Sequence, residues 1–98
     1  MNEGKTYYIY ILECSNGSYY TGYTTDIERR YKEHLARTDK CKYTRGFPPV
    51  RIAACWSIDF GDLSDVLKIE RHIKQMPHAE KTKLILEPGL FHEVARID

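Results

Sequence analysis

A chain of 98 residues is long enough for one domain with a single core, and nothing in it predicts a second domain. Its formal net charge of +1 excludes an indiscriminate polycation, and no run approaches the roughly 20 apolar residues of a transmembrane helix. Because the N-terminus also lacks the pattern of a secretory leader, we expect a cytoplasmic protein without membrane contact. The cysteines Cys14, Cys41 and Cys55 are odd in number and lack CxxC spacing, so we expect reduced thiols.

The first predicted elements are two strands joined by a tight turn. Residues 7–12 are aromatic, β-branched or leucine, and residues 19–25 are tyrosine, threonine and glycine, which is typical of strands. Asn16 and Gly17 between them favour a type I′ turn, which pairs the strands antiparallel. The predicted hairpin therefore concentrates several tyrosines on a small sheet.

A helix is predicted directly after the hairpin. Thr25 and Glu28 have the spacing of a capping box, in which each side chain satisfies a backbone N–H at the helix start. At about 100° per residue, the buried stripe consists of Ile27, Tyr31 and Leu35. Arg30 and His34 lie together on one edge of that stripe, where the helix meets the sheet. They are either a functional pair or an arginine with a solvated tip beside an ordinary boundary histidine.

A basic stretch extends from Arg29 to Arg51. It holds eight basic and two acidic residues, with Tyr31, Tyr43 and Phe47 between them. Basic residues mixed with aromatic rings suit phosphate contacts and stacking on an unpaired base. A solvated charged face is the alternative explanation of such a run.

The remaining elements complete a small mixed domain. Residues 50–60 predict a third strand, covered on both faces, and residues 63–76 and 78–86 predict helices. Residues 87–98 are expected to form a weakly ordered tail or a final turn. The predicted fold class is α/β, of the α+β kind: a three-stranded antiparallel sheet flanked by helices, with a core over about residues 6–86.

The helix over residues 63–76 has one anomalous position. Its apolar arc is formed by Leu63, Val66, Leu67, Ile69, Ile73 and Met76. Glu70 falls within that arc, where desolvation of a carboxylate costs several kcal/mol unless something compensates the charge. A salt bridge to a partner such as Arg30, a retained proton or a bound cation would each do so. The functional alternative, a Mg²⁺ ligand, requires that Glu70 open toward the cleft that holds the tyrosines.

Together these residues offer a guanidinium, an imidazole, several phenols and a carboxylate. There is no serine or cysteine nucleophile arrangement and no phosphate-binding glycine loop. The inventory favours phosphodiester hydrolysis by metal-assisted attack of water. Arginine can neutralise charge on the phosphoryl oxygens, and a phenol or imidazole can take a proton from water.

The order of these motifs resembles the GIY-YIG endonuclease superfamily, in particular its small single-domain bacterial branch. The two signature triplets stand here as Tyr8-Ile9-Tyr10 and Tyr20-Thr21-Gly22. The further matching positions are Arg30, His34 and Glu70. The resemblance covers about residues 6–80. It implies the fold described above.

The resemblance also implies a role for each matching residue. Tyr10 and Tyr20 would flank the scissile phosphate and help orient or deprotonate the attacking water. Arg30 would be the catalytic arginine, and His34 would assist at the phosphate or the leaving group. Glu70 would be the single protein ligand of a divalent ion, Mg²⁺ or Mn²⁺.

Other positions are implied to contact nucleic acid: Tyr8, Gly22, Lys40, Lys42, Tyr43 and Arg45. Gly22 matches a glycine where close backbone approach leaves no room for a side chain. Tyr8 stands where the larger family has glycine, and its effect on the cleft stays open. The three basic residues are alternatives for one cation that the family's following loop often supplies.

The implied activity is metal-dependent endonuclease cleavage, with DNA favoured over RNA and DNA repair as the expected setting. Single-stranded, branched or damaged duplex substrates all stay open because phosphate contacts do not read bases. A protein partner for targeting is an additional expectation, and the oligomeric state stays open. The alternatives are a nucleic-acid-binding module that uses the same basic cleft without cutting, and a protein-interaction domain in which Glu70 merely pairs with Arg30.

Overall fold

The computed structural model describes residues 5–36 and 46–95. Within them, one antiparallel sheet has the strand order β2-β1-β3, with β1 at Lys5–Cys14, β2 at Tyr19–Thr24 and β3 at Pro49–Gly61. The helices are α1 at Ile27–Leu35, α2 at Leu63–Lys74, α3 at His78–Leu86 and α4 at Phe91–Val94, with a 3₁₀ turn at Pro88–Leu90. The predicted fold class is confirmed. None of these helices is both long and apolar enough to cross a membrane.

The β1–β2 hairpin closes through two backbone hydrogen bonds. The Gly17 N–H donates to the Cys14 carbonyl at 2.8 Å, and the Cys14 N–H donates to the Ser18 carbonyl at 2.9 Å. Ser15 and Asn16 therefore occupy the centre of the turn, and Gly17 follows with a left-handed φ of 84°. The antiparallel pairing agrees with the prediction. The predicted type I′ turn centred on Asn16 and Gly17 is wrong, because the chain instead uses a left-handed glycine after the turn.

Alternation along β1 gives the sheet two differently covered faces. Ile9 and Ile11 point to one face and join a buried cluster with Val66, Ile69, Ile73, Leu84 and Phe91. The helices α2, α3 and α4 therefore cover this face. Tyr10 and Leu12 point to the other face, where Tyr10 meets His34 of α1. The residues singled out in the sequence are thus distributed over both faces of the sheet.

Helix α1 packs through a different stripe from the predicted one. Asp26, rather than Thr25, is the N-cap, and its Oδ1 accepts a backbone N–H of the first turn at 3.1 Å. Leu35 was predicted to be buried but is 49% exposed, whereas His34 has no exposed surface. The helix turns its polar edge toward the sheet because Tyr10 offers His34 a buried hydrogen-bond partner.

The third strand differs from expectation, whereas the C-terminal segment agrees with one of its two expectations. The prediction that the third strand is covered on both faces is wrong, because β3 is an edge strand on which Val50 and Ile52 are exposed. Phe91 is buried, and its ring stacks on Trp56 with ring centroids 4.6 Å apart. Over residues 88–95 the chain forms the 3₁₀ turn and α4, so the final turn is the expectation that is observed there, and it helps to close the core.

Candidate active site

Two phenols and an imidazole meet on the α1 face of the sheet. Tyr10 Oη and His34 Nε2 are 3.0 Å apart and share a hydrogen bond. The Tyr20 ring centroid lies 5.1 Å from that of His34 and 6.4 Å from that of Tyr10. The strand register brings the phenols together, because Tyr20 pairs with Leu12 and Gly22 pairs with Tyr10 across β1 and β2.

Gly22 makes room for the Tyr10 phenol. A Cβ at this position would lie 2.6 Å from Tyr10 Oη, 2.8 Å from Tyr10 Cζ and 3.2 Å from Tyr20 Cε2. The first two distances are shorter than real Cβ contacts, so a side chain here would force the buried ring to move. The close approach expected at this glycine is therefore made by a tyrosine ring of the neighbouring strand.

The two phenols differ in their access to solvent. Tyr10 is 1% exposed, whereas Tyr20 is half-buried. Burial, aided by the positive charge of Arg30, lowers the pKa of His34 from 6.5 to about 4, and the carboxylate of Glu33 opposes this shift only in part. The His34 imidazole is therefore neutral at pH 7, with one ring nitrogen that accepts a hydrogen bond and one that donates. Of the two tyrosines, Tyr20 is the more exposed.

Arg30 lies one turn before His34 at the rim of a groove. Its Nη1 is 2.8 Å from Oε1 of Glu33, and the other carboxylate oxygen of Glu33 is 3.9 Å from Nε of Arg29. The groove has a volume of about 420 Å³ and is lined by Tyr23, Thr24, Thr25, Arg29, Arg30 and Glu33. The guanidinium is therefore positioned by its own helix beside a space open to a phosphate group.

Glu70 was expected to open toward the cleft that holds the tyrosines, but it lies on α2, which covers the opposite face of the sheet. Its side chain is 14% exposed, and its Oε2 is 3.7 Å from Lys74 Nζ one turn later. The carboxylate is thus partly shielded from water, and its ion-pair partner is Lys74 rather than Arg30. The predicted apolar arc is narrower than expected, because Leu63 and Leu67 are exposed while Val66, Ile69 and Ile73 are buried.

The residues singled out in the sequence therefore form two groups, with the edge strand β2 between them. The phenols and His34 lie on the α1 face, and Glu70 belongs to α2, which runs alongside β2. The groove beside Arg30 is lined by Tyr23, Thr24 and Thr25 at the end of β2 and by residues of α1, and Glu70 is not among its lining residues.

The His, Cys, Asp and Glu side chains described here suit a divalent ion with few protein ligands. Over residues 5–36 and 46–95, no group of three His, Cys, Asp or Glu side chains converges on one point. Mg²⁺ usually keeps several waters and binds through one or two carboxylates together with substrate phosphates. Glu70 is a partly shielded carboxylate of that kind, and Lys74 is the cation that a metal ion would displace from it.

The remaining predicted contacts are only partly described. Tyr8 is half-buried on the same face as Tyr10 and lies opposite Thr24 of β2 and Ser57 of β3. Four further positions, together with Cys41, lie outside the described residues: Lys40, Lys42, Tyr43 and Arg45. Cys14 is a buried free thiol whose pKa is raised by burial, which disfavours the thiolate.

Two features of this region escaped sequence reasoning. Glu33 is the ion-pair partner of Arg30, a pairing that the i,i+3 spacing could have indicated. Lys81 of α3 is buried, and its position on the packed side of a helical wheel was the available signal.

Comparison with known proteins agrees with the fold and the motif order. The sequence model of the GIY-YIG catalytic domain matches residues 6–83. A UPF0213 protein of Halalkalibacterium halodurans is 39% identical over 92 residues, which are 93% of this chain and 95% of the relative. A UPF0213 protein of Halobacterium salinarum is 46% identical over 78 residues, which are 80% of this chain and 97% of the relative.

A solved structure shares the architecture as well. The solution NMR structure of the UPF0213 protein BH0048 from Bacillus halodurans is 38% identical and superposes with a TM-score of 0.53, covering 91% of this chain and 92% of that one. The sequence match thus extends over most of the chain, and the three-stranded sheet is shared with a relative of clear sequence similarity. This protein therefore belongs to the GIY-YIG family.

Proposed function

We propose that this protein is an endonuclease that hydrolyses phosphodiester bonds, in DNA first of all, with the help of one Mg²⁺ or Mn²⁺ ion. Membership of a family defined by a catalytic domain supports a nuclease. The observation that carries the proposal is the cluster of Tyr10, His34 and Tyr20, in which a buried hydrogen-bonded pair packs against a half-buried tyrosine. Arg30 lies one helical turn from this cluster.

In this proposal Tyr20 contacts the attacking water or the phosphate. It is the more exposed of the two signature tyrosines, and the neighbouring rings of Tyr10 and His34 limit its rotation. His34 acts as a positioning residue through Tyr10, because a buried and neutral imidazole carries no charge to the phosphate. Its neutral form instead keeps an acceptor nitrogen for the phenol.

Arg30 neutralises charge on the phosphoryl oxygens. Its ion pair with Glu33 can be exchanged for a phosphate, since both partners are oxyanions and the guanidinium stays paired in either state. Glu70 holds the divalent ion. When bound, such an ion stabilises negative charge on phosphate oxygens and lowers the pKa of bound water.

The test is incubation of the purified protein with plasmid, single-stranded DNA, branched DNA and RNA in Mg²⁺ or Mn²⁺. Glu70→Gln and Tyr20→Phe should each lower the cleavage rate by about 10²-fold or more, in the range found when one stabilising group is removed. Glu80→Gln is the control because Glu80 is exposed on α3. Full cleavage by a folded Glu70→Gln protein would exclude Glu70 as the metal ligand. A preference for branched or damaged DNA would support the expected setting in DNA repair.

A second function, nucleic-acid binding without cleavage, is favoured by one observation. The contact of Glu70 is an ion pair with Lys74, on the α2 side of the sheet. In a binding module this pair would simply persist. Salt-sensitive DNA binding in EDTA, with no cleavage under any divalent ion, would establish this alternative.

A further inference from the structure

Glu33 lies between the two arginines that line the groove on the α1 side of the sheet. Its Oε1 accepts a hydrogen bond from Arg30 Nη1 at 2.8 Å, and its Oε2 is 3.9 Å from Arg29 Nε. At about 100° per residue, Glu33 projects from α1 about 40° from Arg29 and about 60° from Arg30. All three side chains line the groove of about 420 Å³. A carboxylate therefore lies between two guanidinium groups at a place that a ligand can enter.

The two ion pairs of Glu33 are unequal. The pair with Arg30 is within hydrogen-bond distance, and the Arg30 side chain is only 20% exposed. The pair with Arg29 is beyond that distance, and the Arg29 side chain is 62% exposed. An exposed pair of this kind contributes little to stability. Among the described residues the Arg29 guanidinium donates no hydrogen bond, so its N–H groups are available to a ligand in the groove.

The Glu33 carboxylate has the chemistry of a bound phosphate. Carboxylate and phosphate are both oxyanions that accept paired N–H bonds from guanidinium groups. A phosphodiester, like a carboxylate, presents a pair of charged oxygens, so it can replace Glu33 with one oxygen toward each arginine. The exchange leaves neither guanidinium without an anionic partner.

We propose that Arg29 and Arg30 together form one phosphate-binding site, in which Glu33 is the resident anion that a strand of nucleic acid displaces. The assignment rests on the proposed function, because it takes the phosphate from the substrate strand. Arg30 is about 40° from His34 on the helical wheel, so it is the arm of the site that lies toward the sheet and the phenols. Arg29 is the outer arm, and Glu33 weakens strand binding because it competes for both.

Binding of an oligonucleotide in EDTA at a series of salt concentrations tests the outer arm without cleavage. Arg29→Gln removes one charge from the site. Lys32→Gln is the matched control, because Lys32 is exposed on the same helix but does not line the groove. Arg29→Gln should reduce the slope of log K against log salt by about 0.9 for duplex DNA or about 0.7 for a single strand. The control should leave the slope nearly unchanged.

Replacement of Glu33 by glutamine tests the resident anion. Glu33→Gln keeps the size of the side chain and removes the charge that competes with phosphate. The Kd for the oligonucleotide at low salt should therefore fall at least about twofold, within the range of a partly exposed ion pair. Glu28→Gln is the control, because it makes the same change of net charge at an exposed position of α1 outside the groove, and it should bind as the wild type does.

Several outcomes would overturn the site. Equal slopes for Arg29→Gln and Lys32→Gln would remove Arg29 from it. Weaker binding by a folded Glu33→Gln protein than by the wild type would make Glu33 a support for Arg30 rather than an anion that the strand displaces. Failure of the wild type to bind any oligonucleotide would reject both arms.

Two further comparisons separate the source of the anion and the two proposals. A shift of the Arg29 side-chain NMR signal by inorganic phosphate, with an unchanged slope for Arg29→Gln, would indicate a free-anion site and overturn the nucleic-acid assignment. A reduced slope for Arg29→Gln, with no cleavage by the wild type under any metal ion, would support the site while the nuclease proposal fails. Cleavage by the wild type, with equal slopes for Arg29→Gln and Lys32→Gln, would give the reverse result.

Discussion

Replacement of Gly22 by alanine tests the packing on which both signature phenols depend. The added Cβ would lie 2.6 Å from Tyr10 Oη, and ordinary van der Waals contact begins at 3.4 Å, so the hydroxyl would have to retreat by about 0.8 Å. Tyr10 is buried and its hydroxyl is bonded to His34, so this movement strains or breaks the bond. We expect Gly22→Ala to displace the Tyr10 ring and to disturb Tyr20 with it.

The expected loss of stability follows from these contacts. Overpacking of a close-packed core costs about 1–3 kcal/mol, and loss of the Tyr10–His34 hydrogen bond adds about 1 kcal/mol. The free energy of unfolding of Gly22→Ala should therefore fall by about 2–4 kcal/mol. In a domain of this size each kcal/mol lowers Tm by roughly 4–8 °C, so the Tm should fall by about 8 °C or more.

Urea and thermal unfolding of Gly22→Ala measure this effect. Gly89→Ala is the control, because nothing lies within 4 Å of a Cβ at Gly89, and its effect should stay within about 0.5 kcal/mol. Addition of Tyr10→Phe removes the atom in the shortest contact, so a double-mutant cycle should show coupling between Gly22 and Tyr10. Equal stability of Gly22→Ala and Gly89→Ala, or a cycle without coupling, would refute the proposed packing.

Three further predictions concern Glu70, His34 and Thr21. Glu70→Gln should change the free energy of unfolding by only about 0.3–0.5 kcal/mol, the usual contribution of an i,i+4 ion pair such as Glu70–Lys74. It should lower the Mn²⁺ affinity measured by calorimetry at least about tenfold, and an unchanged affinity would exclude Glu70 as the ligand. The pKa of His34 is about 4 in the fold and 6.5 as its ordinary value, so protons favour the unfolded state. Stability should fall by up to about 3 kcal/mol as pH drops from 6.5 to 4, and His34→Gln should show a smaller fall in urea unfolding. In the described structure Thr21 Oγ1 is buried without a hydrogen bond, so Thr21→Val should gain about 1 kcal/mol, whereas Thr24→Val should lose stability because its hydroxyl bonds the Asp26 backbone.

Much of the fold could be predicted because its local signals agree with one another. The helix predicted over residues 63–76 ends two residues earlier, at Lys74, and the helix over residues 78–86 has the predicted bounds. The orientation of α1 could not be predicted. Hydrophobic periodicity favours Leu35 over His34 as a buried residue, and only the tertiary contact with Tyr10 reverses that preference.

The candidate site, like the fold, could be predicted only in part from the sequence. The predicted type I′ turn would pair Tyr10 with Tyr23 and leave Tyr20 on the other face of the sheet, whereas the observed turn shifts the register by one residue and pairs Tyr10 with Gly22, so that Tyr10 and Tyr20 share a face. The i,i+4 spacing does place Arg30 beside His34. The helical wheel also places Glu70 on the shielded side of α2. A wheel gives the packed side of one helix but not which face of the sheet that helix covers, so the separation of Glu70 from the phenols required coordinates.

The different surroundings of the two signature tyrosines follow from the order of the strands. β1 is the central strand, so Tyr10 has a neighbouring strand on each side and α1 above it, and it is buried. β2 is an edge strand, so Tyr20 has such a neighbour on one side and keeps access to solvent on the other. In the proposed function, a phosphate that approaches the sheet meets Tyr20 first, while Tyr10 acts through its packing and its bond to His34. Arg30 on α1 lines the groove beside Tyr23 and Thr24 of β2, so we expect phosphodiester chemistry on the α1 side of this free edge.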